Sequence, residues 1–415
     1  MATVEATLQG TPDVPLMVKL KRAERRQRLQ ALALIVPLAL FLLLVFIFPL
    51  AGMLVRSVEN PEVADTLPKT VAALHGWDGK AAPGEPVFVA LSQDLQRAYE
   101  NKTVANAAKR LNSEISGYRS LVMNTARKMP LTDAASMREG FVAIDARWGE
   151  LPYWHAIARN TGRYTSYYLL AAVDHQIDDQ GNIVATDPQQ AVFLPILGRT
   201  LWMSLVVTVI CIGLGYPLAY LLASLPARQS NLLMIMVLLP FWTSVLVRVA
   251  AWIVLLQNEG LINKTLIAVG ITHEPIQLVF NQVGVYIAMV HIMLPFMILP
   301  VYSVMKGIPV VYVKAAISLG SHPFAAFWRI YFPQTLAGLG AGSLLVFIIT
   351  IGYYITPALL GSPKEQMMSY FVAFYTNVTI NWGMAAALGT LLLLVTLILY
   401  AVYSRLIGTS RLKLG

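Results

Sequence analysis

Charge and cysteine are both scarce in this chain. Only 13% of its 415 residues are Asp, Glu, Lys or Arg, while 57% are hydrophobic, and the mean hydropathy is +0.61. That balance excludes a soluble globular domain. The single cysteine, Cys211, excludes an intramolecular disulfide and a cysteine-based metal cluster. Gly-x4-Gly-Lys-Ser/Thr, His-Glu-x-x-His and Gly-x-Ser-x-Gly patterns are absent. The chain is therefore not expected to be an enzyme, to bind a cofactor or to hydrolyse ATP itself. Internal repeats of solenoid length are also missing.

Long apolar runs take the place of these features. A helix needs about 20 apolar residues to cross a bilayer, and runs of that kind occupy residues 31–55, 200–222, 232–256, 283–305, 337–360 and 384–406. Six spans put both termini on one side. Lys19, Lys21, Arg22, Arg25, Arg26 and Arg28 precede the first run, and Lys306, Lys314, Arg329, Arg405, Arg411 and Lys413 fall on the same side if spans alternate. The positive-inside rule makes that side cytoplasmic. A basic cluster directly before an apolar run reads as a topology determinant, and no nucleic-acid partner is expected. The first run is too long for a secretory signal and lacks a small-residue cleavage site, so it is expected to remain as an anchor.

The expected organisation is a cytoplasmic basic tail (1–30), a first span (31–55), an extracytoplasmic insert (56–195) and a five-helix core (196–410). Residues 1–18 read as a disordered tail. Within the insert sit 16 of the 22 acidic groups and 14 of the 31 basic ones, so the net positive charge lies elsewhere. The insert is too long for a structureless loop. Leu95, Tyr99, Ala107, Leu111, Ile115, Tyr118 and Val122 give residues 91–129 a helical period ended by Pro130, and a second helix is expected over 136–144. Asp178-Asp179-Gln180-Gly181-Asn182 reads as a turn leading to Ile183 and Val184.

Between the fourth and fifth runs, Val313-Lys314-Ala315-Ala316-Ile317-Ser318-Leu319-Gly320 is followed by Ile330-Tyr331-Phe332-Pro333. Pro309 suits a first helical turn. Val310, Val313, Ala316 and Ile317 form an apolar stripe, and Gly320 suits a left-handed helix end. Pro323 can start a second helix presenting Phe324, Phe327, Trp328 and Tyr331. Short helices are marginal in water unless their apolar face is covered. A partner groove or the lipid headgroup layer would both serve.

The Ala-Ala, Gly, Ile, Pro spacing, placed there in a six-span chain, resembles the EAA loop of ABC-importer permeases. Pro240-Phe241-Trp242-Thr243-Ser244-Val245-Leu246-Val247-Arg248 with Trp252, and Gly352-Tyr353-Tyr354-Ile355-Thr356-Pro357-Ala358-Leu359-Leu360-Gly361, look like the spermidine/putrescine branch of that family. The resemblance implies an all-α membrane protein of the type I importer permease fold in a bacterial inner membrane. It implies import of polyamines or related small amino-containing solutes. It also implies a cytoplasmic ABC ATPase dimer as the user of ATP, a second permease subunit and an extracytoplasmic binding protein, besides membrane lipid. Carried onto this sequence, the coupling loop spans 307–334, with Val313, Lys314, Ala315, Ala316, Gly320, Phe324, Phe327, Ile330 and Pro333 as its contact residues. Lys314 stands where the family usually has Glu, which removes any salt bridge that acid would make.

Trp242, Thr243, Ser244, Arg248, Tyr353, Tyr354 and Thr356 are candidates for a substrate pathway or a subunit interface. Arg248 needs a reason, since an Arg at mid-membrane costs about 2.5–3.5 kcal/mol unless it faces protein or water. It could line the pathway, pair with a carboxylate of a second subunit, or snorkel to the interface. The aromatic residues suit ammonium groups but serve equally as helix packing or an interfacial belt. His291 reads as a packed histidine. An ion-coupled secondary transporter would normally need an ion-binding group near the midplane and a repeat architecture; Glu259, Glu274 and Glu365 all fall in connections. A receptor using the insert is the other alternative.

Overall fold

The computed structural model describes residues 16–131, 136–178 and 181–411. The chain divides into two units, Met1–Val55 and Arg56–Gly415. Among the described residues six helices are long and apolar enough to cross a membrane: Glu24–Arg56, Phe193–Ser224, Val245–Ala268, Gln282–Lys306, Pro323–Ile351 and Trp382–Arg405.

In the first unit a helix begins at Leu16, inside the stretch expected to be a tail. Residues 1–15 lie outside the described residues. The helix passes through a π-helical turn at Leu43–Ile47, with the N–H of Phe48 donating to the Leu43 carbonyl. Pro49 follows directly, and its missing N–H frees a carbonyl of the preceding turn, a usual origin of such bulges.

The insert is mainly helical, but the run expected over 91–129 is three helices: Glu85–Glu100, Val104–Asn112 and Tyr118–Arg127. The breaks fall at Lys102 and Gly117, both at positive φ. The period survives the breaks because the pieces share one core, in which Leu95, Ala107, Leu111, Tyr118 and Val122 are buried while Tyr99 is exposed. Further helices occupy Pro61–Thr66, Pro68–Ala73, Met137–Ile144, Leu151–Arg159 and Tyr167–Ala172. Ser136 caps its helix by accepting from the Glu139 N–H at 3.2 Å. Strands His175–Ile177 and Ile183–Ala185 pair antiparallel, as the turn signal suggests, although Asp179 and Gln180 lie outside the described residues.

Four aromatic side chains form the centre of the insert. Phe88 meets Trp154 at 4.8 Å and Phe141 at 5.5 Å, and Trp148 meets Trp154 at 5.5 Å. Each indole N–H is satisfied: Trp148 donates to Thr125 Oγ1 at 2.9 Å and Trp154 to the Trp148 carbonyl at 2.8 Å. Beside this core the two ends of the insert are tied together. Asn60 N–H donates to the Arg163 carbonyl at 2.9 Å and Thr165 N–H to the Val58 carbonyl at 2.7 Å. The buried guanidinium of Arg110 donates to Asn60 Oδ1 at 2.8 Å, pairs with Glu114 at 3.2 Å and lies 4.3 Å over the Tyr167 ring. Asn160 and Arg159 complete the knot through Glu114. Asp174 then receives the N–H groups of Val192, Phe193 and Leu194 at 3.1, 3.0 and 2.7 Å. A carboxylate on these free N–H groups fixes where the second span begins.

In the core the fourth span packs against the second and fifth. Close approach needs small residues: a Cβ on Gly338 would lie 2.9 Å from the Pro300 carbonyl oxygen and from Val304 Cβ, and one on Gly342 would lie 3.0 Å from the Met297 carbonyl oxygen.

Two spans differ from the hydropathy reading. The run at 232–256 is not one helix: Ala227–Leu238 ends in a 3-10 turn at Leu239–Trp242, Thr243 and Ser244 are extended, and Val245–Leu256 begins anew. Pro240 removes a helical donor there, which hydropathy does not register. The third candidate span continues through a break holding Glu259 into Leu261–Ala268. The run at 337–360 is likewise divided. The fifth helix ends at Ile351, Gly352 and Tyr353 turn, and Ile355–Leu360 is a separate short helix.

Candidate functional site

The connection from the fourth to the fifth span is built as a helix, a glycine corner and a second helical limb. Helix Val311–Ser318 starts two residues after Pro309, which precedes the first turn instead of entering it. It ends in a Schellman arrangement. Ser321 N–H donates to the Ala316 carbonyl at 3.0 Å and Gly320 N–H to the Ile317 carbonyl at 2.9 Å, with Gly320 at φ +90°. His322 then caps the next helix, its Nδ1 accepting from Phe324 N–H at 3.3 Å, with Pro323 in the first turn. This second limb is not a free short helix as expected. It continues through a π-helical stretch, Phe327–Tyr331, into the fifth span. Pro333 explains the stretch, because it cannot donate to Arg329, and Gln334 Nε2 covers the Ile330 carbonyl at 2.7 Å.

Val313 and Ala316 turn partly inward, whereas Lys314, Ala315 and Gly320 are exposed. The outward surface is apolar: Val310, Val311, Tyr312, Ile317, Leu319 and Phe324 are all exposed, Leu319 by 89%. Ile330 is exposed at 37%, and Pro333 is also exposed. Phe327 is different. It packs on Tyr220 at 5.6 Å and Tyr331 at 5.7 Å, and edges Tyr216 at 6.5 Å, so it ties the loop to the second span. Tyr216 and Tyr220 are one helical turn apart and so share the face of the second span that meets Phe327.

The second set of candidates divides. Trp242, Thr243 and Ser244 lie at the exposed break before the third span, where Thr243 Oγ1 donates to the Pro240 carbonyl at 2.9 Å. Tyr354 is exposed at 38%. Arg248, Tyr353 and Thr356 come together instead. Arg248 acts electrostatically on both Tyr353 and His291, and Tyr353 adjoins Thr356. Arg248 Nε is buried and makes no hydrogen bond, while the Tyr353 and Thr356 hydroxyls lie against each other. His291 is held by Trp252, whose Nε1 donates to His291 Nδ1 at 3.1 Å. That bond leaves the ring proton on Nε2. The sequence singled out Arg248, Tyr353 and Thr356 one by one but not their nearness, which depends on the helix Val245–Leu256 packing against Ile355–Leu360.

Residues 215–409 match the family described as binding-protein-dependent transport system inner membrane component. The chain is 34% identical over 212 residues to the spermidine/putrescine transport system permease protein PotB of Haemophilus influenzae, covering 50% of this chain and 74% of that one. It is 33% identical over 214 residues to Escherichia coli PotB, covering 51% and 78%. The chain belongs to this family of ABC-importer permeases. The E. coli inner membrane ABC transporter permease YdcU is 30% identical, with coverage of 51% and 71%. A solved bacterial ABC transporter involved in alginate import is similar at 14% identity and a TM-score of 0.42, covering 52% of this chain and 78% of that one. The permease is thus a multi-pass inner-membrane transport protein, and the family match begins only after the insert.

Proposed function

We propose that this permease passes polyamines, spermidine and putrescine or related small amino-containing solutes, using ATP hydrolysed by a separate pair of cytoplasmic ABC ATPase subunits. In this reading both termini and the loop at 307–334 face the cytoplasm. The insert faces outward, where a binding protein delivers substrate, and a second permease subunit completes the pathway. The observation that carries the coupling role is the loop itself. A helix ended at left-handed Gly320 presents Val310, Ile317, Leu319 and Phe324 outward while Phe327 anchors the corner to the second span. Exposed apolar groups on a rigidly held corner suit a groove in a partner, and movement of that partner would reach the fifth span directly, since the second limb and the span are one helix. The polyamine assignment is supported by the PotB relatives.

ATP-driven uptake into proteoliposomes tests both parts. Gly320→Asp and Ala316→Asp are expected to abolish uptake while the permease remains in the membrane, and a cysteine placed at Leu319 is expected to crosslink to the ATPase. Normal uptake in either Asp variant rejects the docking role. Failure of labelled spermidine and putrescine to bind the cognate binding protein rejects the substrate.

A further inference from the structure

We propose that a cleft in the insert, lined by the loop at Trp77, by Tyr164 and by the β-hairpin, is a binding site for linear amines carrying two or more ammonium groups. The cleft has a volume of about 800 Å³, within the range of sites that enclose small molecules. Phe193, the first residue of the second span, also lines it, so the cleft lies where the insert meets the core.

Its walls are set in advance. His155 Nε2 donates to the Gly79 carbonyl at 2.8 Å, and its ring stands 5.3 Å from that of Trp77, which holds the loop on helix Leu151–Arg159. Trp77 Nε1 donates to the Ala81 carbonyl at 2.8 Å, so the indole is oriented as well. Tyr164 pairs with Glu59 across a β-bridge, and the N–H of the next residue, Thr165, donates to the Val58 carbonyl at 2.7 Å. Its backbone is pinned, yet Tyr164 is 71% exposed, more than any other large hydrophobic residue of the insert among the described residues. It lies outside the membrane-crossing helices. An aromatic face held out over a cleft attracts an ammonium group.

The charge of the lining has the matching sign. Asp78, Glu114, Asp174 and Asp178 stand against Arg159. Glu114 is taken up by Arg110 and Arg159, each at 3.2 Å. Asp78 and Asp174 pair with no Lys or Arg among the described residues. They accept backbone N–H groups, from Lys80 and from the start of the second span, which orient the carboxylates without cancelling their charge. A concave site lined by one sign of charge concentrates its field and draws in the opposite ion. Asp174 and Asp178 flank strand His175–Ile177, which sets their Cα atoms about 13 Å apart. One small cation cannot reach both, whereas a flexible chain with charges at intervals can. No group of three His, Cys, Asp or Glu side chains among the described residues is placed to hold a metal ion, so the chemistry favours an organic cation. Reading these amines as the imported solutes rests on the function proposed above; the site does not.

The test uses the full-length permease in nanodiscs of phosphatidylcholine, without ATPase, binding protein or ATP, and measures equilibrium binding of labelled spermidine. Saturable binding is expected, displaced by putrescine and not by its neutral analogue 1,4-butanediol. Asp78→Asn, which keeps the acceptor for the Lys80 N–H, and Tyr164→Ala should each weaken binding about two- to fivefold, and together about tenfold. No saturable binding to the wild type, or unchanged binding in the double variant, overturns the proposal. So does a double variant that binds spermidine normally but no longer retains the binding protein, because the cleft would then receive a protein. Should the variants fail to reach the membrane, nitration of Tyr164 in the wild-type chain decides. Protection by saturating spermidine supports the site, and equal nitration with and without it overturns the site. ATP-driven uptake by the reconstituted importer is measured separately. Binding without uptake counts against the importer reading and leaves the site standing, while uptake without binding sinks the site alone.

Discussion

The ring of Tyr168 occupies the space into which a side chain on Gly383 would project: a Cβ there would lie 2.3 Å from Tyr168 Cε2. This contact joins the last helix of the insert to the start of the sixth span, within a cluster that also holds Ile196, Leu197, Met384 and Leu388. The insert is thus fastened to the core at its base. Lys109 adds a second attachment, donating to the carbonyls of Thr379 and Ile380.

Gly383→Ala is expected to destabilise the purified permease by about 1–3 kcal/mol, the usual result of overpacking. Tyr168→Ala in the same chain should recover part of that loss by clearing the ring. Thermal unfolding in detergent measures both, and an additive double variant would contradict the contact.

Asp174 sits at positive φ and receives three N–H groups at the start of the second span. Asn tolerates that backbone, so Asp174→Asn isolates the charge and should cost about 1 kcal/mol. Asp174→Ala also loses the cap and should cost about 2 kcal/mol or more. Comparing their unfolding midpoints separates the charge from the cap and the left-handed backbone strain of Ala taken together.

The Arg147 guanidinium, hydrogen-bonded to Asp145 at 2.6 and 2.9 Å, holds that carboxyl below its usual range. A depressed carboxylate contributes stability above its unfolded pKa of about 3.9 and loses it as the pH falls through the folded value. Both side chains are partly exposed, at 23% and 30%, so screening keeps the contribution small. Asp145→Asn should therefore destabilise by less than about 1 kcal/mol at pH 7, and the difference from wild type should fade as the pH is taken below 3.9. Paired melts across that range check the sign.

Gly320→Ala separates geometry from charge in the coupling loop. The position has open space for a methyl group but a φ of +90° that an L residue adopts only with strain. About 1–2 kcal/mol of local strain is expected, too little to unfold the permease but enough to shift the corner. Uptake should fall several-fold with the protein level unchanged. Wild-type uptake would show that the left-handed corner is dispensable.

Much of the molecule was legible in the chain. Spacing alone located the helix ended at Gly320, because a left-handed turn after an apolar stripe has few other solutions. The buried positions Leu95, Leu111, Tyr118 and Val122 were readable because each helix of the insert turns its apolar face to one core. Phe327 was not readable: whether an aromatic on a short helix faces a partner or its own bundle depends on what stands opposite, here Tyr216 and Tyr220. The break at Pro240 was also obscured, since hydropathy averages over a run and does not register one lost donor.

By itself the sequence determined that the chain lives in a membrane, how many spans it has, and where its loop of basic and apolar residues lies. Those are properties of local composition, which the transfer free energy of each segment fixes without reference to its neighbours. Only the tertiary structure decided which polar groups find partners. Arg110 acquires Asn60 and Glu114, whereas the Nε of Arg248, though buried, acquires no partner within this chain among the described residues. Hydrogen bonding is short-ranged and directional, so it is settled by which segments are brought within 3 Å, and no order of residues along a chain states that.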